Sequence, residues 1–176
     1  MDQDRDVRLA FGIPPIPDAE EATRALDPAD PDERALLIRA AHPELDTDEE
    51  TVIVDGREVN PRLHLRIHEI VAAQLADDDP PEVWATAQRL SRRGYGRHEI
   101  QHMLGTAVST LLWTVLSEQR DYDRAEHRAA LDALPDSWER ERPAASAPPP
   151  SRAAHAAADK TRRKAARAAR RRNRRR

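Results

Sequence analysis

The sequence predicts a mainly α protein: a small helical bundle with a short β-hairpin before it and disordered N- and C-terminal arms. Three observations carry that reading. Helix start and stop signals recur from Asn60 onward around apolar residues at helical spacing. The chain as a whole holds fourteen prolines, 35% charged and 3% aromatic residues, with a mean hydropathy of −0.83, too polar for all 176 residues to pack into one core. Finally, two β-prone runs flank Asp55-Gly56 in TVIVDGREV, the chemistry of a two-residue hairpin turn.

Residues 1–30 are acidic and broken by FGIPPIP and DPADPDE, so they are expected to form an unstructured lead-in. A short helix is expected over 31–41, capped by Asp30, opened by Pro31 and stopped by His42-Pro43, with Leu36, Leu37 and Ala40 as its apolar side. With the hairpin it makes a 31–59 segment. The bundle proper is assigned to 60–138. Its first helix is capped by Asn60 and carries Leu63, Ile67, Ile70, Val71 and Leu75 as a stripe until Asp77-Asp78-Asp79. A second begins at Pro80 after an Asp79 cap, turns Val83, Trp84, Ala87 and Leu90 inward, and closes at Gly94. The third, from Arg97 to about Gln119, is the most apolar segment, with Met103, Leu104, Val108, Leu111, Leu112, Val115 and Leu116. A last helix over about 122–134 presents Ala125, Ala129 and Leu131. A Pro/Ala-rich linker (139–159) and a basic disordered tail (160–176) follow.

The chain has no cysteine, which excludes disulfides, thiolate metal sites and cysteine nucleophiles. Any metal must therefore be held by imidazole and carboxylate. The N-terminus lacks the pattern of an export signal, and no window is long and apolar enough to span a bilayer, so a cytoplasmic location without membrane contact is expected. Charge is unevenly divided. Residues 160–176 carry eleven Lys/Arg and no acid, so the net charge of −3 leaves −14 on the preceding residues.

The chemically loaded pattern is a pair of histidine pairs: His64 and His68 in LHLRIHE, and His98 and His102 in RHEIQHML. Spacing of four on a helix puts both imidazoles on one face, with Cβ atoms roughly 5–6 Å apart, suited to chelating one ion. At about 1.5 Å rise per residue the first bundle helix climbs roughly 25 Å and the second descends roughly 20 Å. The third therefore starts near the level of the first, and both pairs, lying in the first two turns of parallel helices, fall at similar heights. Gly105 and Ser109, following His102 on its face, would let the neighbouring helix approach closely. The metal ligands expected are His64, His68, His98 and His102, with Glu69 as a further candidate. The alternative for the same rings is a set of core histidines satisfied by hydrogen bonds, or of histidines on solvated helix ends. His42 is read as a helix-end residue and His155 as part of the linker, while His127 would join the site only if the last helix folds back.

Four neutral imidazoles suit zinc best, with iron or another divalent transition metal as alternatives. A carboxylate-bridged di-iron site is disfavoured, because Glu99 and His102 match Glu-x-x-His once whereas Leu65 occupies the equivalent place before His68. The second pair also spells His-Glu-x-x-His, which admits a metal-dependent hydrolase or peptidase with Glu99 as general base. Val108 stands where a third histidine of the longer metzincin pattern would be, leaving Glu118 or Glu126 as a downstream third ligand. Whether the protein is an enzyme is left open, with a structural or regulatory metal preferred. The tail offers Arg162, Arg163, Lys164, Arg167, Arg170, Arg171, Arg172, Arg174, Arg175 and Arg176 as nonspecific contacts to RNA or DNA phosphates. With no aromatic it cannot stack on bases.

The stretch from about Val59 to Trp138 resembles the bacterial domain-of-unknown-function family DUF1841. The resemblance rests on NPRLHLRIHEIVAAQL, DPPEVWATAQRL, GYGRHEIQHML with Trp113 later in the same helix, and YDRAEHRAALDALPDSW. It implies a small helical domain and no particular activity.

Overall fold

A computed structural model describes residues 3–16, 19–54 and 57–141. In chain order the elements are α1 (Gln3–Gly12), α2 (Glu21–Arg24), α3 (Pro31–Ala40), a 3₁₀ turn (Pro43–Leu45), β1 (Val52–Val54), β2 (Arg57–Val59), α4 (Pro61–Asp77), α5 (Pro81–Arg92), α6 (Arg97–Glu118), α7 (Arg124–Asp132) and α8 (Asp136–Glu141). The mainly helical class and the antiparallel hairpin are as expected. Val54 pairs with Arg57, which leaves a two-residue connection.

Local chemistry sets the helix starts. Asn60 Oδ1 accepts from the Leu63 amide at 3.0 Å, Asp30 Oδ1 from Asp32 and Glu33 at 2.9 and 3.0 Å, and Asp123 Oδ1 from Ala125 at 2.7 Å. Each satisfies amides that have no partner in a first helical turn. Gly94, at φ +92°, ends the run after α5 in a conformation that costs other residues a Cβ clash.

The core lies between α4, α5, α6 and α7. Val71, Leu75, Val83, Ala87, Leu90, Ile100, Met103, Leu104 and Leu131 are each 0–1% exposed. Gly105 brings α4 and α6 together, since a Cβ there would stand 2.8 Å from Ile67 Cγ2. Ile67 against Gly105, and His64 against His102 at 5.2 Å between ring centroids, are the same register offset, so the two helices run in the same direction.

Several details differ from expectation. Residues 3–12, expected to be unstructured, form α1, which buries Arg8 and Leu9. Its last carbonyls are satisfied from α6: Arg97 donates to the Ala10 oxygen and Gln101 to the Phe11 oxygen. Arg8 Nε donates to the Leu75 oxygen in α4 at 3.0 Å, and Phe11 meets Trp84 edge-on. The helix is held by polar groups that find partners only on other elements, which a composition argument cannot register. In α3 the inward side is Arg34, Leu37 and Ile38, while Leu36 is 53% exposed and Ala40 is exposed. Leu63 also faces out. In α7 the inward residues are His127 and Leu131, not Ala125 or Ala129, because the helix packs with a different rotation from the one its alanines suggested. Ser109 is exposed, so close approach to α4 ends at Gly105. Pro80 itself occupies the cap position of α5, displacing the expected Asp79 cap by one residue.

The expected linker starts later than residue 139, since α8 runs to Glu141. The chain forms one unit to Glu139 and a second from Arg140, and everything assigned to linker or tail from residue 142 onward, including His155 and the tail arginines, lies outside the described residues. Among the described residues no helix is long and apolar enough to cross a membrane.

Gly105→Ala is expected to destabilise the protein by about 1–3 kcal/mol through overpacking against Ile67, read as a lower urea midpoint. The double variant Gly105→Ala, Ile67→Val should recover part of the loss, and equal midpoints for the two variants would contradict the close-approach account.

Candidate metal centre

The two histidine pairs meet. Ring centroids are 4.9 Å apart within His64 and His68, and 4.4 Å within His98 and His102. Across the helices they are 5.0 Å for His68 and His102 and 5.6 Å for His68 and His98. The equal-height argument therefore holds, made exact by the Ile67–Gly105 contact one turn above.

A fifth ring stands among them. His42, expected to be no more than a helix-end residue, is 1% exposed and lies 4.5 Å from His68, 5.0 Å from His98 and 5.3 Å from His64 by ring centroid. It follows Ile38 by one helical turn, and its Nδ1–H donates to the Ile38 carbonyl at 2.9 Å. In the neutral ring that leaves Nε2 with a free lone pair, the tautomer a metal-ligating histidine adopts when a backbone carbonyl orients it. That Nε2 sits 3.0 Å from His98 Nε2. His42, His68, His98 and His102 each offer one ligand nitrogen, and these all lie within 4.8 Å of one another. Such a cluster can hold a metal ion. His64 adjoins it, its Nε2 3.2 Å from His68 Nε2. The four residues are thus the expected set with His42 in place of His64.

The fit to an ion can be tested on donor chemistry. Nitrogens sharing one zinc at about 2.0–2.1 Å stand roughly 3.3 Å apart in a tetrahedron, comparable with the closest pairs. His102 Nε2 is buried without a hydrogen-bond partner, an arrangement that costs free energy unless something occupies that lone pair or proton. Burial first, and neighbouring rings second, push the imidazoles below the ordinary 6.5: His64 to about 4, His102 to about 3, His68 and His98 in the same direction. The Glu44 carboxylate opposes this at His64 and His98. The rings are therefore neutral at pH 7, the state a metal requires.

The acids expected nearby are engaged elsewhere or lie outside the four-residue group. Glu69 accepts from Arg66 at 2.6 Å on the flank of α4 and is not among the four. Glu99 is half-buried in the first turn of α6 and is likewise not one of them, as expected from the 100° that separates adjacent residues on a helix. Glu118 and Glu126, the candidates for a downstream third ligand, both pair with Arg120 beyond the far end of α6. His127 is buried on α7 with Nδ1 3.1 Å from the Tyr122 hydroxyl, apart from the cluster. The signal for His42 was available in the sequence, because the stripe Arg34, Ile38, His42 continues the inward side of α3 at spacing four.

The profile of a family described as Domain of unknown function (DUF1841) matches residues 21–133. That span takes in His42, α3 and the hairpin as well as both histidine pairs. No curated protein and no solved structure matches the chain.

With chelator present, stability should fall as the medium is acidified. The unfolded rings titrate near 6.5 and the folded His64 and His102 near 4 and 3, so between those values the unfolded chain binds more protons and acid favours unfolding. The contribution is complete above pH 6.5 and is lost progressively below it. Urea midpoints measured from pH 7.5 to 5 should decline accordingly, and a flat profile would contradict buried neutral imidazoles.

Proposed function

The chain belongs to the DUF1841 family, a description that assigns no chemistry, and from the site itself we propose that it is a metal-binding protein whose cluster takes up a divalent transition ion, zinc best. The observation that carries this is the convergence of the ligand nitrogens of His42, His68, His98 and His102 within 4.8 Å. Imidazole nitrogen suits zinc, iron, nickel or copper and disfavours calcium and magnesium, which demand oxygen. The ligands come from α4, α6 and His42, which lies between α3 and the 3₁₀ turn, so one bound ion ties together three segments that are distant in sequence. Its role is structural or regulatory: binding adds directly to folding free energy because the unfolded chain presents no preformed site.

The His-Glu-x-x-His pattern also suggests hydrolysis by metal-bound water with Glu99 as base. Four imidazoles around one ion leave no open position in a tetrahedral shell, and the carboxylates that would replace one of them, Glu118 and Glu126, are held by Arg120. Those observations favour the structural reading. The Arg-rich tail adds, on sequence alone, a separate arm for nonspecific contact with nucleic-acid phosphates.

Elemental analysis of the purified untagged protein should find close to one zinc or iron per chain, and a His68→Ala, His102→Ala double variant should contain neither. At a hundredfold metal excess over Kd, binding contributes about 2.7 kcal/mol, so chelation should lower the melting temperature by on the order of 10 °C. Wild-type protein that holds no metal and takes up none on addition would overturn the proposal. Glu99→Gln should leave metal content and melting unchanged; a specific loss of hydrolytic turnover in that variant would instead support the enzymatic reading. Deleting residues 160–176 should abolish retention on an RNA column at low salt, and unchanged retention would dismiss the tail's role.

A further inference from the structure

The second half of α6 carries an inference independent of the metal. No Asp, Glu, Lys or Arg occurs between Glu99 and Glu118, in a chain that is 35% charged. Yet the last buried residue of the helix is Val108. Beyond it Trp113 is 74% and Leu116 67% exposed, while Leu111, Leu112 and Val115 are only half-buried. The hydroxyls of Thr106, Ser109, Thr110 and Thr114 all donate back to carbonyls four residues earlier in their own helix. This stretch of the surface therefore offers methyl, indole and isobutyl groups and almost no unmet polar ones. Solvated helix faces ordinarily carry charge, and a contiguous apolar stripe bordered by polar residues marks an interaction site.

The stripe lies on the face that carries the histidines. His98, His102, Gly105, Ser109, Leu112 and Leu116 alternate spacings of four and three, the seam spacing of paired helices. The metal centre and Ile67 cover its first half. Ser109 is the first uncovered position, followed by Trp113 and Leu116 at spacings of four and three.

We propose that this face pairs with the same face of a second copy, with the two α6 helices antiparallel. Residues 139–176 hold no apolar side chain larger than alanine or proline, whereas a second copy brings the same indole and isobutyl groups to the face. The stripe also complements itself, because it is small at one end and large at the other. In antiparallel register Leu116 of each copy lies over Ser109 of its mate, with the two Trp113 rings beside the twofold axis. This arrangement is isologous and closes at two chains, and it opposes the two helix dipoles favourably.

Sedimentation of the full-length protein should give a dimer, and Trp113→Glu with Leu116→Glu should give a monomer with unchanged metal content and helicity. Because the chain lacks cysteine, the register can be read directly. An equimolar mixture of Ser109→Cys and Leu116→Cys should cross-link on oxidation at least tenfold faster than Leu116→Cys alone, since a disulfide requires Cα atoms about 4.4–6.8 Å apart. A monomeric wild type at high micromolar concentration, a dimer that survives the double substitution, or equal cross-linking of Leu116→Cys alone would each overturn the proposal. So would a monomer that floats with phospholipid vesicles, which would assign the face to a lipid surface.

Discussion

Imidazoles packed this closely can coexist only as neutral rings or around a shared cation, and that electrostatic condition governs the centre of the molecule. Protonating His68 or His102 places a charge in a desolvated space beside other rings, and the carboxylate that opposes the effect, Glu44, acts at His64 and His98 instead. The four-residue group contains no acid, and it sits at the N-terminal ends of α4 and α6, where the backbone dipoles add partial positive charge. A cation there would gain nothing from charge attraction to the four imidazoles. Coordination bonds to nitrogen would have to supply the binding free energy, which favours a transition ion over a hard one and calls on neither Glu69 nor Glu99.

The same condition places demands on the scaffold. The rings must be held at short range and in fixed register, and the restraint comes from packing farther along the helices. Gly105 admits Ile67 to van der Waals contact, which fixes the height of His64 and His68 against His98 and His102. Arg8 and Gln101 then tie α1 across α4 and α6, and Arg89 donates to the carbonyls of Leu131 and Leu134 at the end of α7. Each tie is a buried or partly buried side chain donating to a carbonyl in or just beyond the last turn of a helix. The clamp around the histidines is thus built largely from helix-end chemistry.

Much of this was legible in the sequence because its determinants are local. Asn60 and Asp30 cap the helices they were expected to cap, and the paired spacing of four together with helix lengths brought His64, His68, His98 and His102 to one level. The determinants that escaped are those whose partners are far away. The segment containing Arg8, Leu9 and Phe11 looks like a polar lead-in until Leu75, Arg97, Gln101 and Trp84 are in place around it. His42 is separated from His64 by a hairpin, and no periodicity spans that gap; only its spacing from Ile38 pointed inward. The apolar composition of α6 also does not say where its burial ends: Ser109, Trp113 and Leu116 are exposed, although the helix stays free of charge between Glu99 and Glu118.

His42 also alters what the His-Glu-x-x-His pattern means in this chain. In a hydrolytic centre that pattern supplies two ligands, and the chemistry depends on an asymmetry: a third ligand to hold the ion, an empty position for water, and a carboxylate turned toward that water. Spacing of four secures the chelating pair, and nothing in it secures the asymmetry. Here His42 and His68, both almost fully buried, stand where the remaining ligands of an ion would be, while Glu99 is rotated by one residue from its histidines. A symmetric shell of neutral nitrogen donors suits an ion that stays in place, and its consequence would be mechanical: an ion held through His42 would add a coordination bond to the packing of Leu37 and Ile38 that already holds α3 against α4.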